Sequence, residues 1–202
     1  RARFFASAKS DEDVHDALAQ ARQLDVPLLP IGGGSNLLLT RDVPALVLHM
    51  ASRGKRIIDE SAGQVIVEVE AGEPWHPFVL WSLEQGLMGL ENLSLIPGTV
   101  GASPIQNIGA YGVEIKDVFS GLTALDIETG ALRDFALADC AFAYRDSVFK
   151  QLPALSDPAG AFRSAPPGPD ASRIRPDPPV AGGPRERRAH GGGSQPGGQR
   201  HS

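Results

Sequence analysis

The sequence has one cysteine, Cys140, among its 202 residues. That excludes an internal disulfide and a thiolate metal cage, and it points to a reducing compartment. A basic excess is also missing: 19 Lys+Arg stand against 24 Asp+Glu, a formal charge of −5. Binding to nucleic acid or to an anionic membrane surface by net charge is thereby excluded. No apolar run approaches the roughly 20 residues a bilayer span requires. The opening Arg1-Ala2-Arg3-Phe4-Phe5-Ala6 is soon followed by charges, unlike a secretory leader. The expectation is a cytoplasmic protein whose partners are neither nucleic acid nor membrane. The histidines, His15, His49, His76, His190 and His201, share no ligand spacing, so no metal is expected. An initiating methionine is absent, and the N-terminus is expected to be clipped.

At 21.3 kDa the chain can form one ordinary domain or two small ones with a sizeable core. Its character changes near residue 150. Ten of the 17 prolines and nine of the 23 glycines fall in 151–202, with seven arginines and four acids. Beyond Phe162 that segment offers only Ile174 and Val180 as large apolar residues. Too little surface can be buried there to offset about 1–2 kcal/mol of backbone entropy per residue. The reading is a low-complexity, disordered tail, with polyproline II character near Pro176-Asp177-Pro178-Pro179. It holds no Arg-Gly-Gly repeat with aromatics and no flanked Pro-x-x-Pro docking motif. Out-of-frame translation of GC-rich DNA would give the same composition.

Residues 1–150 alternate short strands and helices. Ser10 is a helix N-cap followed by Asp11, Glu12 and Asp13, and Val14, Ala17, Leu18 and Ala21 form one apolar stripe. Asp25-Val26-Pro27 ends that helix. Strands are expected at 28–31, 37–39, 45–50, 57–58 and 65–69. A second helix is expected to begin at Pro74, bury Trp75, Phe78, Val79 and Trp81/Leu83, and end at Gly86. Segments 118–127 and 131–135 read as a hairpin across Thr129-Gly130. Short strands with segregated helices indicate α+β, or mixed α/β. Glu68, Glu70 and Glu73 read as solvated strand-end charges.

Two glycine-rich loops carry the chemical signal. Gly32-Gly33-Gly34-Ser35-Asn36-Leu37 leaves several backbone N–H groups uncovered and adds two side-chain donors. Leu37 stands where a dinucleotide fingerprint needs its third glycine, and no Gly-Lys-Ser/Thr makes it a P-loop. It suits an anion, and equally a tight turn between strands. The loop 89–112 (GLENLSLIPGTVGASPIQNIGAYG) is apolar and poor in charge. That suits a flat, largely buried ligand, with Gln106 and Asn107 reading a heteroaromatic edge, or a buried structural crossover. Arg145, in Tyr144-Arg145-Asp146-Ser147, could grip a carboxylate or phosphate bidentately, or simply pair with Asp146.

Three segments together resemble the UDP-N-acetylenolpyruvoylglucosamine reductase family: 32–38, 89–112 and 140–150, the last reading CAFAYRDSVFK. The family lies within the PCMH-type, vanillyl-alcohol-oxidase-like FAD-binding superfamily. The resemblance covers about residues 3–150. It implies an α+β FAD-binding domain over 1–150, in two subdomains of about 1–50 and 51–150. It implies a missing substrate-binding domain where 151–202 now stands. It also implies noncovalent FAD, NADPH as co-substrate, a UDP-sugar substrate and a monomer. The family's reaction passes hydride through the flavin to the enolpyruvyl double bond, giving UDP-N-acetylmuramate for peptidoglycan.

Carried over by position, Gly32, Gly33, Gly34, Ser35 and Asn36 would hold the FAD pyrophosphate. Pro97, Gly98, Gly101, Ala102, Ser103, Ile105, Gln106, Asn107, Ile108, Gly109 and Tyr111 would line the flavin. Arg145 aligns with the catalytic arginine that grips the substrate carboxylate, with Tyr144 beside it. The family's proton-donating serine and its nearby glutamate have no counterpart; Ser156, Ser164, Ser172 and Ser194 lie in unpatterned sequence. The chain alone is therefore expected to hold flavin weakly or not at all and to show no substrate-dependent turnover. A flavin-binding remnant without turnover, or another PCMH-type oxidase using oxygen, are the alternatives. The last two of the three segments speak against that oxidase.

Overall fold

The computed structural model describes residues 1–61, 64–151 and 172–174. Strand β1 (Ala2–Ala8) leads into helix α1 (Asp11–Gln23). Strands β2 (Leu28–Ile31) and β3 (Val43–Met50) follow. β1, β3 and β2 form a parallel sheet in that order. The Ser10 hydroxyl accepts from Asp13 N at 3.2 Å, and the Asp13 carboxylate accepts from Ser10 N at 3.1 Å, closing the capping box. The stripe Val14, Ala17, Leu18 and Ala21 is buried against Leu28, Leu46, Leu48 and Met50. Each large side chain so buried contributes about 1.5–3 kcal/mol.

The second sheet contains β4 (Lys55–Ser61), β5 (Gln64–Val69), β8 (Phe119–Leu125) and β9 (Leu132–Ala136). β8 and β9 form the expected hairpin, with Gly130 at φ +76° in its turn. A fifth strand, β10 (Ser172–Ile174), lies between β5 and β8 and pairs antiparallel with both. This corrects the expectation of disorder at those three residues; backbone pairing there needs no apolar pattern. The remaining expectations for 152–171 and 175–202, polyproline II among them, lie outside the described residues.

Helix α2 (Trp75–Glu84) packs Trp75, Phe78 and Val79 onto Val67 and Val69 of β5 and onto Leu90, Leu93 and Val100 of the loop that follows. Pro74 is its N-cap and Gly86, at φ +75°, lies just past its C-cap. That loop contains the two-residue pair β6 (Gly109–Ala110) and β7 (Val113–Glu114). The last helical turn described is α3 (Val148–Gln151).

Two expectations are overturned. Leu37, Leu38 and Leu39 form no strand: β2 pairs directly with β3, so the run lies in the connection between them, exposed by 53, 88 and 60%. The carboxylates Glu68, Glu70 and Glu73 are buried, not solvated. Cations from 53–56 fold over two of them. Arg56 Nη2 reaches Glu68 Oε1 at 2.5 Å, while Glu73 Oε1 takes Lys55 Nζ at 3.5 Å and Gly54 N at 3.1 Å. The alternation of valine with glutamate therefore marks two covered faces, one of them ionic.

Candidate functional site: a cleft between two glycine-rich loops

β2 ends at Ile31, and the glycine triplet leaves from its C-terminal end. In open parallel sheets this is where ligand-binding loops gather. Among the described residues, the backbone N–H groups of Gly32 through Asn36 donate to no protein acceptor. The second loop is held from behind. The Trp75 indole donates to the Leu93 carbonyl at 2.7 Å, and Trp75 N donates to the Gly98 carbonyl at 3.0 Å. Val100 N and Gly101 N donate to the carbonyls of Glu73 and Ala71, both at 2.9 Å. Gly98 adopts φ +127°, a conformation that needs glycine.

The two loops touch. A Cβ on Gly32 would collide with Thr99 Oγ1, and one on Gly33 would lie 3.7 Å from Gly98 Cα. Asn36 Nδ2 donates to Gln106 Oε1 at 3.1 Å. Together they enclose a cleft of about 220 Å³. From the first loop it is lined by Gly32, Gly33, Gly34, Ser35 and Asn36. From the second it is lined by Pro97, Gly98, Ala102, Ser103, Ile105, Gln106 and Ile108. Among the described residues neither histidine nor cysteine lines it, and apart from the side chains of Asn36, Gln106 and Lys150 the walls are small or apolar. Backbone amides bare of side chains beside flat apolar walls fit a phosphate-bearing aromatic dinucleotide.

Gly101, Asn107, Gly109, Tyr111, Tyr144 and Arg145 do not line the cleft. Asn107 is fully buried and employed structurally. Its Nδ2 donates to the Ala143 carbonyl at 2.9 Å, and its Oδ1 accepts from Lys116 N at 3.2 Å. Its amide is thus committed to protein partners, not turned to a ligand edge. Tyr111 and Tyr144 are exposed.

Arg145 sits at the margin of the cleft. Its guanidinium donates to the carbonyls of Asn107, at 3.2 Å, and Gly109, on either side of the cleft-lining Ile108. Its ion pair is with Glu114, at 3.7 Å, and its guanidinium stacks over Tyr144. The Lys116 ammonium, 2.5 Å from Glu114, holds that carboxyl below its ordinary value, and Arg145 adds to the effect. Ser147, fully buried, straps this segment to the loop by donating to the Ile105 carbonyl at 2.7 Å.

Sequence reasoning passed over Pro30, Ile31, Leu37, Trp75, Thr99 and Lys150, which also line the cleft. Thr99 and Lys150 lie inside segments already singled out; Trp75 looked like a core residue only.

The FAD binding domain family matches residues 2–136. The UDP-N-acetylenolpyruvoylglucosamine reductase of Pseudomonas fluorescens strain Pf0-1 is 72% identical over 153 residues. That alignment takes in 76% of this chain and 45% of the relative. The protein of the same name from Neisseria meningitidis serogroup B is 50% identical over 151 residues, 75% of this chain and 44% of its own length. The chain thus spans less than half of these relatives. Among solved structures, the same reductase from Thermus caldophilus shares the fold, with a TM-score of 0.60 at 24% identity over 87% of this chain and 56% of that one. A solvent-stable cholesterol oxidase shares it at a TM-score of 0.57 and 18% identity, over 86% of this chain and 34% of its own.

Proposed function

The chain belongs to the FAD binding domain family, and from that premise we propose that it holds FAD noncovalently in the cleft between its two glycine-rich loops. In a chain of its relatives' full length, it would reduce UDP-N-acetylenolpyruvoylglucosamine to UDP-N-acetylmuramate with NADPH. We take it to work as a cytoplasmic monomer with small-molecule partners only. The observation that carries this reading is the meeting of the two loops, with uncovered amides on one wall and Arg145 held at the edge.

When bound, FAD supplies hydride transfer between NADPH and the enolpyruvyl double bond. The chain's own residues orient and stabilise. The N–H groups of Gly32–Asn36 offer donors to phosphate oxygens at no cost of reorganisation. Ile105 and Ile108 give apolar walls that exclude water. Arg145 uses part of its donor fork on the carbonyls of Asn107 and Gly109, which fixes its plane. Its remaining N–H groups can take a carboxylate and stabilise negative charge as it develops beside that carboxylate.

The test joins residues 1–150 to the C-terminal half of the P. fluorescens relative. Substrate-dependent NADPH oxidation is expected, and Arg145→Met should remove it by about 100-fold or more while flavin stays bound. A chimera that binds flavin yet shows no turnover would refute the assignment.

A further inference from the structure

The cleft has one charged side chain among its described lining residues, Lys150. Lys150 follows the buried strap of Ser147 and Phe149 at the cleft edge. Its ammonium donates to the Arg145 carbonyl at 2.5 Å, and no carboxylate pairs with it among the described residues. An ammonium has three donors, so the Arg145 contact leaves two for another acceptor. Lys150 thus lines the same cleft as a row of amides that have no acceptor among the described residues, an arrangement that suits an anion.

Resting on the FAD reading above, we infer that Lys150 is the cationic anchor of the cofactor's diphosphate, acting across the cleft from the amides of Gly32–Asn36. A compact ammonium suits phosphate oxygens as a point charge, where the amides supply direction. The contact to Arg145 gives the lysine a second consequence. Arg145 has a left-handed backbone, φ +52°, and its carbonyl is the acceptor that Lys150 holds. An anion in the cleft and the backbone of Arg145 thus share one cation.

The experiment is equilibrium titration of the apo chain with FAD and, separately, with riboflavin, which lacks phosphate. Wild type, Lys150→Met and Lys150→Arg are compared, with the melting temperature of each apo protein recorded. Lys150→Met is expected to weaken FAD by about tenfold or more, the loss of a charge-assisted contact. Riboflavin binding should change by less than about twofold, and Lys150→Arg should restore most of the FAD affinity. Equal losses for the two flavins would overturn the inference, since they would assign Lys150 to the fold or to Arg145 alone. Unchanged FAD affinity in Lys150→Met would also overturn it. If Lys150→Met fails to fold, the salt dependence of the wild type decides. FAD affinity should fall between low and high salt while riboflavin affinity holds, and parallel behaviour would contradict the assignment. A wild type that binds neither flavin would instead bring down the FAD reading itself.

Discussion

The Asn36 side-chain amide donates to the Gln106 side-chain oxygen at 3.1 Å, bridging two loops that are 70 residues apart in sequence. The bond is exposed, so its net worth to folding is at the low end of about 0.5–1.5 kcal/mol. Because both side chains line the cleft, the bond ties one of its walls to the other. Asn36→Ala and Gln106→Ala should each lower the melting temperature by less than about 3 °C yet weaken FAD several-fold. The double variant should lose no more than either alone, because both remove one contact. Additive losses in a flavin titration would show that each amide touches the ligand by itself.

Gly32 permits the closest approach of the loops. Adding a Cβ there meets Thr99 Oγ1, with Thr99 Cβ at 3.4 Å. Gly32→Ala should weaken FAD by more than tenfold. Thr99→Ala removes the colliding oxygen, so the pair Gly32→Ala/Thr99→Ala should regain most of the affinity. Fluorescence quenching of added FAD reads both, and a pair no better than Gly32→Ala would mean that the collision is not the cause.

The Glu68 carboxylate is 3% exposed and depends on Arg56 at 2.5 Å, where the two residues face each other across β4 and β5. Arg56→Met leaves a buried charge with no cation across the strand. Breaking a fully buried pair costs about 3–5 kcal/mol. Arg56 is itself half exposed, so a loss of about 2 kcal/mol is expected. Arg56→Met/Glu68→Met should recover much of it. Urea melts of the three proteins test this, and an unaltered midpoint in Arg56→Met would contradict the account.

Burial pushes the Cys140 thiol up to about 12 from 9.0, with Asp139 adding to the shift. The folded state therefore holds the proton more tightly than the unfolded chain. Stability from this source is full below about pH 9 and falls as pH rises towards 12. A thiol-reactive chromophore at pH 8 should label Cys140 only as fast as the fold opens, and Cys140→Ser should flatten the alkaline loss. Immediate labelling of the native protein would contradict its burial.

The parts of the fold set by local chemistry were readable from the chain. The Ser10 cap and the stripe of Val14, Ala17, Leu18 and Ala21 fix α1, and Thr129-Gly130 fixes the hairpin. Leu37-Leu38-Leu39 misled, because strand formation depends on a partner that β2 had already taken. Glu68 and Glu73 misled because the cations that make their burial tolerable come from 53–56 on the facing segment. In the site, glycine density singled out the two loops that the structure brings together around one cleft. It could not show that the Asn107 amide serves Ala143 and Lys116, nor that Lys150 lines the cleft, since those follow from how 143–150 packs on the loop.

The most direct measurement is an amide correlation NMR titration of the isotope-labelled chain with FAD. The signals of Gly32, Gly33 and Gly34 in one loop, and of Gly98 and Thr99 in the other, should move together along one binding curve. Shifts confined to one loop, or none in either at saturating FAD, would contradict a shared cofactor cleft.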